Sequence, residues 1–231
     1  MRSTTTISAL AAVGVVLGAT VTGCPSGRDE GSGTTTGGTS AAASGTSAET
    51  TAAPADERSL DDYLKANGVT QTIVKAGEPG VPTVDLPMPD GWEPVTDAGA
   101  APPDAYGAIF LSAAKGTANP PAILVRMVRL DGGTYDVAKI LDLAPKAVTS
   151  LPMWTGPDVG TPGDVGGFRS SEIAGRADVD GVPNFVARET VVIPGPQHTY
   201  LLALDAQGPL EQQQDLIAAM TVIDDRTTIT P

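Results

Sequence analysis

Apolar residues occupy both parities of the stretch Ala122–Leu130: Ile123, Val125 and Met127 take one side of an extended chain, and Leu124, Val128 and Leu130 take the other. Successive side chains of a strand point to opposite faces, so the pattern predicts a central strand covered on both sides. Arg126 and Arg129 interrupt it, one per face, and each needs a carboxylate or backbone partner if it is buried. Thr199–Asp205 repeats the two-sided pattern, with Tyr200, Leu202 and Leu204 against Leu201 and Ala203. Between them the period changes. Val137, Ile140, Leu141, Ala144, Val148 and Leu151 follow helical spacing over Asp136–Leu151, and Pro145 should kink or divide that helix near Ala144. A Gly/Pro-rich loop, Thr155–Gly163, comes next, and then Val165–Gly175 and Val182–Pro194 flank the turn signal Asp180-Gly181 as a long hairpin.

Shorter elements fill the rest. Ser59 with Asp62 three residues on resembles a capping box, Leu60, Tyr63 and Leu64 form one apolar face, and Gly68 is a natural stop. Gln71–Lys75 and Thr83–Leu86 are strand-like but broken by proline, which confines them to edges and turns; Gly107–Ser112 is a further strand. Pro209 suits the first turn of a closing helix carrying Leu210, Leu216, Ile217 and Met220, and Thr227–Ile229 ends the chain. Helix, strands, helix, three strands and helix, joined by hairpins, predict an α+β architecture with an antiparallel sheet covered by helices, not a parallel doubly wound fold.

The first 57 residues obey neither period. Met1-Arg2 and the apolar run Ile7–Ala19 read as a signal peptide, too short for a membrane span. Val21-Thr22-Gly23-Cys24 then has the form of a lipobox, with an aliphatic residue three places before the cysteine and small residues between. Residues 1–23 are thus expected to be removed, leaving Cys24 as a lipidated first residue that anchors the protein to the outer face of the cell membrane. Residues 24–57 follow as a Gly/Ser/Thr/Ala tether with no apolar periodicity, whose reach is roughly 30 Å. Residues 58–231 are expected to form one globular domain.

Charge and rare residues narrow the chemistry. A formal net charge of −13 argues against nucleic acid and against electrostatic docking on anionic lipid, so membrane association must come from the anchor or from apolar contact. The single cysteine cannot close an internal disulfide. With one histidine, His198, and no Gly-x-Ser-x-Gly elbow, a Ser-His hydrolase has little to work with, and no ligand set for zinc is present. Asp178-Val179-Asp180-Gly181 lacks the later acidic positions of a calcium loop, and Gly163-Asp164-Val165-Gly166-Gly167 lacks the Lys-Ser/Thr ending of a phosphate loop. A pair of carboxylates in one cleft is the remaining catalytic alternative, since their spacing in space is invisible here. No cofactor or metal is expected. Among the few aromatics, Trp92, Tyr106, Phe110 and Trp154 are the candidates for ligand contact, with core or loop anchoring as the commoner use of tryptophan.

Four stretches carry a resemblance. Pro82–Trp92, Ile140–Pro145, Thr190–Pro194 and Val222–Ile229 occur in the order found in the mycobacterial LpqN/LpqT-type lipoprotein family, which the chain resembles from its first helix to its end. That resemblance implies a Mog1/PsbP-like α/β/α sandwich with a central antiparallel sheet flanked by helices. It also implies a non-enzymatic cell-envelope lipoprotein that binds lipid or glycolipid of the trehalose mycolate kind near MmpL-type exporters. It carries no catalytic residues across. The other expectation is a protein-interaction module that binds an envelope or secreted protein and no small ligand. Cys24→Ser should release the protein from membranes; fractionation in which the variant still sediments with them would refute the anchor.

Overall fold

The computed structural model describes residues 59–96 and 100–231. The leader, Cys24 and the tether lie outside the described residues. Helix α1 (Leu60–Ala66) starts where Ser59 caps it: Asp62 N–H donates to Ser59 Oγ at 3.0 Å, and that hydroxyl donates to the Asp62 carboxylate at 2.9 Å. Asn67 closes the helix and Gly68, at φ +71°, turns the chain out of it. The pocket of backbone around this turn is tight, because a Cβ on Gly133 (φ +57°) would collide with the Asn67 carbonyl.

Strands β1 (Thr70–Ile73), β2 (Thr83–Asp85), β3 (Trp92–Pro94), β4 (Gly107–Leu111) and β5 (Ala122–Asp131) follow. The predicted helix is cut as Pro145 requires, into α2 (Val137–Leu143), capped by Asp136, and a single turn α3 (Lys146–Thr149). Next come β6 (Thr161–Val165), β7 (Phe168–Val179), β8 (Val182–Pro194) and β9 (Thr199–Pro209), then α4 (Gln213–Arg226) and β10 (Thr228–Thr230). Neighbours in the main sheet run β3-β4-β5-β9-β8-β7-β6, every pair antiparallel, with β1 beside the second half of β5; β10 and β2 form a separate ribbon.

Three expectations need correction. Val165 ends β6, a strand inside the stretch read as loop, and the hairpin proper begins at Phe168 after Gly166-Gly167, both at positive φ. Edge pairing with β7 supplies the hydrogen bonds, so β6 tolerates Pro162 and Gly163 despite having almost no apolar pattern. Pro209 does not occupy the first turn of α4: pairing with β8 carries β9 on to Asn184↔Pro209, and Pro209 then caps a 3-10 turn, Leu210–Gln212, that leads into α4. Ile217 lies on the outside of α4, 40% exposed, while Leu216 and Met220 are buried.

The sheet is covered on both faces, as the two-sided strands demand. Ile123, Val125 and Met127 of β5, Leu202 and Leu204 of β9 and Val191 and Ile193 of β8 meet α4 through Leu216, Ala219, Met220 and Ile223. On the opposite face Val128, Leu130, Leu201 and Val192 pack with Tyr63 and Leu64 of α1 and Ile140, Leu141 and Leu143 of α2. Val148 of α3 joins a further cluster with Ile173, Ala177, Val179 and Val186. Leu202, with no exposed surface at the centre of the sheet, is the most demanding position to empty. Leu202→Ala should lower unfolding stability by about 2–5 kcal/mol, whereas Ile217→Ala should stay within about 0.5 kcal/mol; urea denaturation of both checks this.

Candidate functional site

The helical cover on the α1–α2–α3 face is incomplete. Pro145 ends α2, α3 lasts one turn, and the residues that lean over the sheet there are Ala144 and Ala147. Short side chains beside a broken helix leave a groove. Its larger lobe holds about 300 Å³ between Pro120, Leu124, Val148, Leu151, Val179 and Val186. A smaller lobe of about 90 Å³ lies toward Leu60, Val128, Ala144 and Leu201. Both lobes are bounded by Arg126, Arg188 and Ala147.

The arginines form the polar floor. Arg188 on β8 stands directly opposite Asp205 on β9, and Arg126 on β5 is diagonal to it, because Leu124 is the residue paired with Asp205. Asp205 bridges the two guanidiniums: one oxygen accepts from Arg188 Nε at 2.6 Å and the other from Arg126 Nη1 at 2.8 Å. Arg126 Nε donates to Asp104, from the loop before β4, at 2.7 Å. Burial works against the Arg188 charge, but the Asp205 carboxylate overrides it through charge and hydrogen bond and holds the guanidinium above its ordinary value. Two arginines and two aspartates balance, which suits charges placed between apolar walls. Arg126 Nη2 and both Nη atoms of Arg188 have no hydrogen-bond partner among the described residues, leaving donors for a bound polar group.

Arg129, on the other parity of β5, finds Asp131 at 2.8 Å, and His198 approaches the same carboxylate at 3.2 Å from the β8–β9 loop. The Arg129 hydrogen bond is the main reason Asp131 is held below the usual carboxylate range. Both partners foreseen for the two strand arginines are therefore carboxylates.

None of the four aromatic candidates lines either lobe. Trp92 is 6% exposed within the core on the α4 side, and Tyr106 packs against that core with its hydroxyl donating to the Pro82 carbonyl at 3.1 Å. Phe110 is half-buried, with the Lys115 ammonium 5.7 Å from its ring centroid. Trp154 anchors its own loop, donating to the Pro157 carbonyl at 3.2 Å; a Cβ on Gly175 would come within 2.6 Å of its ring. The groove residues escape sequence reading because most are ordinary aliphatics. The available signal is a charge at one same-facing position in each of three apolar strands: Arg126, Arg188 and Asp205.

An antiparallel sheet between helices, opened on one face by an apolar groove, defines an α+β sandwich domain. The family model described as "Probable lipoprotein LpqN" matches residues 56–230. Lipoprotein LpqN of Mycobacterium tuberculosis is 36% identical over 172 residues, 74% of each chain. A crystal structure described as LpqN involved in cell envelope biogenesis of that organism aligns with TM-score 0.69 at 35% identity, covering 75% of this chain and 98% of the other. A solution structure of cyanobacterial PsbP from Synechocystis sp. PCC 6803 aligns with TM-score 0.41 at 9% identity, covering 70% and 92%. The chain belongs to the LpqN lipoprotein family and has its mixed α/β fold, with a central antiparallel sheet and flanking helices.

Removing the shared carboxylate is the sharpest test of the floor. Asp205→Ala strips Arg188 of its only hydrogen-bonded partner and Arg126 of one of two, and should cost about 3–5 kcal/mol in urea unfolding. Asp104→Ala, which leaves the Asp205 bridge whole, should cost clearly less.

Proposed function

We propose that this protein is a non-enzymatic lipoprotein, tethered through Cys24 to the outer face of the cell membrane, whose groove holds part of a lipid or glycolipid. In that role it assists envelope lipid trafficking near an MmpL-type exporter. The observation that carries the reading is the groove: apolar walls on both sides of a guanidinium floor. Its larger lobe sits at the lower end of the ~300–1,000 Å³ usual for ligand pockets, enough for an acyl segment and not for a whole lipid. An amphiphile laid there would place apolar chain along Leu124, Val148 and Val186, and turn a hydroxyl or ester oxygen toward the free arginine donors. The relative from Mycobacterium tuberculosis, described as involved in cell envelope biogenesis, supports the setting.

Binding, not turnover, fits the charges in the groove. Asp205 accepts from two arginines, and Asp104 from one of them, so neither carboxylate is poised as a base or nucleophile toward a ligand. What supports the trafficking role is the tether read from the sequence, whose reach of roughly 30 Å would let the domain search beyond the membrane surface.

Ala147 borders both lobes from a one-turn helix and is the position to block. Ala147→Trp should weaken binding of a fluorescent acyl-chain probe at least about tenfold, the loss of about 1.4 kcal/mol, with the circular dichroism spectrum retained. Unchanged probe affinity in the folded variant would remove the groove as the lipid site. Mass spectrometry of organic extracts from the purified protein should show co-purified lipid, depleted in the same variant.

A further inference from the structure

The opposite face of the sheet holds a polar cluster that the groove does not use. Glu189 of β8 points toward α4 from within an otherwise apolar row and is only 3% exposed. Its neighbour across the ladder is Glu172 of β7, and Ser170, also buried, sits two residues along on the same face. Asp224 follows Met220 by four residues, which places it on the buried stripe of α4, and Thr227 caps the helix three residues later. Among the described residues, Glu189 Oε2, Asp224 Oδ1, Ser170 Oγ and Thr227 Oγ1 are buried without a hydrogen-bond partner.

Among the described residues no cation is paired with this cluster. The charged groups that bear on Asp224 are Glu189, Glu172 and its chain neighbour Asp225, all acidic. From β9, the residues on the α4 side are Leu202, Leu204, Ala206 and Tyr200, whose hydroxyl is taken up by donation to the Gly80 carbonyl at 2.7 Å. From β6, Val165 faces the core while the Asp164 carboxylate accepts the Gly167 N–H of its own turn. Among the described residues no ion pair involves Glu172, Glu189 or Asp224, and no group of three or more His, Cys, Asp or Glu is placed to hold a metal ion. Two adjacent buried carboxylates cannot both stay charged under those conditions.

We propose that Asp224 keeps its proton in the folded chain and donates it in a hydrogen bond to Glu189, and that this contact is an acid-strengthened clamp holding α4 against the sheet. Burial, reinforced by Glu189 through hydrogen bond and charge and then by Glu172 and Asp225, pushes the Asp224 carboxyl up to about 9. Burial first, and Glu189 second, also raise Glu172. The sign follows. A carboxyl whose folded value lies above its ordinary 3.8 contributes its full stability below about pH 4 and loses it as pH rises toward about 9. Between those limits one proton makes the unfolding constant grow by at most about tenfold per pH unit. The direction is opposite to ordinary acid denaturation, in which paired carboxylates such as Asp131 are the ones titrated.

The test compares the full chain with Asp224→Asn and Glu189→Gln by urea unfolding from pH 5 to 9. An amide at either position donates the same hydrogen bond without titrating, so the stability of Asp224→Asn relative to the unsubstituted protein should climb steadily across that range. Hydrogen exchange of the α4 amides in the unsubstituted protein should quicken over the same window. If neither amide variant folds, carbon-13 NMR of the unsubstituted protein decides: the Asp224 carboxyl must titrate well above pH 7. Parallel pH profiles for variants and parent, an Asp224 carboxyl titrating near 4, or stabilisation by millimolar calcium that disappears in Asp224→Asn would each overturn the protonated Asp224 clamp.

Discussion

Asp205 is the residue on which the two sides of the groove depend. Its strand lies at the middle of the sheet, hydrogen-bonded to β5 on one edge and β8 on the other, and each neighbour contributes an arginine to it. A guanidinium among aliphatic side chains is expensive unless its charge is met nearby, and the pleat brings one carboxylate within reach of both. The network gives a sheet face that would otherwise close with leucine and valine a polar strip. The two packed clusters on that face lie to either side of the strip, and the groove lies over it.

The two faces solve the problem of buried charge differently. On the α1–α2–α3 face, opposite charges are paired in a bridge that keeps some donors facing a cavity. On the α4 face, like charges are gathered in a filled core, and protonation replaces ion pairing. Charge balance permits ligand contact in the first case and favours helix attachment in the second. The net excess of acid in the chain is therefore not confined to its surface: Glu189 is a wholly interior carboxylate.

Legibility followed the strength of each local signal. The two-sided pattern of Ile123–Leu130 and Tyr200–Leu204 announced central strands, the Ser59 box announced a helix start, and Pro145 cut the helix where its ring and missing N–H require. Strand β6 was illegible because Thr161-Pro162-Gly163-Asp164 carries no apolar alternation and is held by pairing to β7 alone. Pro209 serves both readings, since its ring fits the end of a strand and the start of a helical turn: it ends β9 and caps the 3-10 turn before α4. The groove could be suspected only from its charges: Arg126 demanded a partner, but that the partner would be Asp205, shared with Arg188, is a matter of register, which hydrophobic pattern does not number. The four aromatic candidates lie outside this lining, where Ala147 borders both lobes and Ala144 the smaller one.

The position of β9 has a consequence for how the molecule comes into being. This strand occupies the centre of the sheet yet ends at residue 209 of 231, and its partner β5 begins at residue 122. Until β9 is present, β5 and β8 each have an open edge and nothing to join them, so the first half of the chain cannot complete a core by itself. Pairing of β5 with β8 through β9 therefore waits until residues up to 209 are available. The order of strands in the sheet thus makes closure of the central core depend on the last third of the chain.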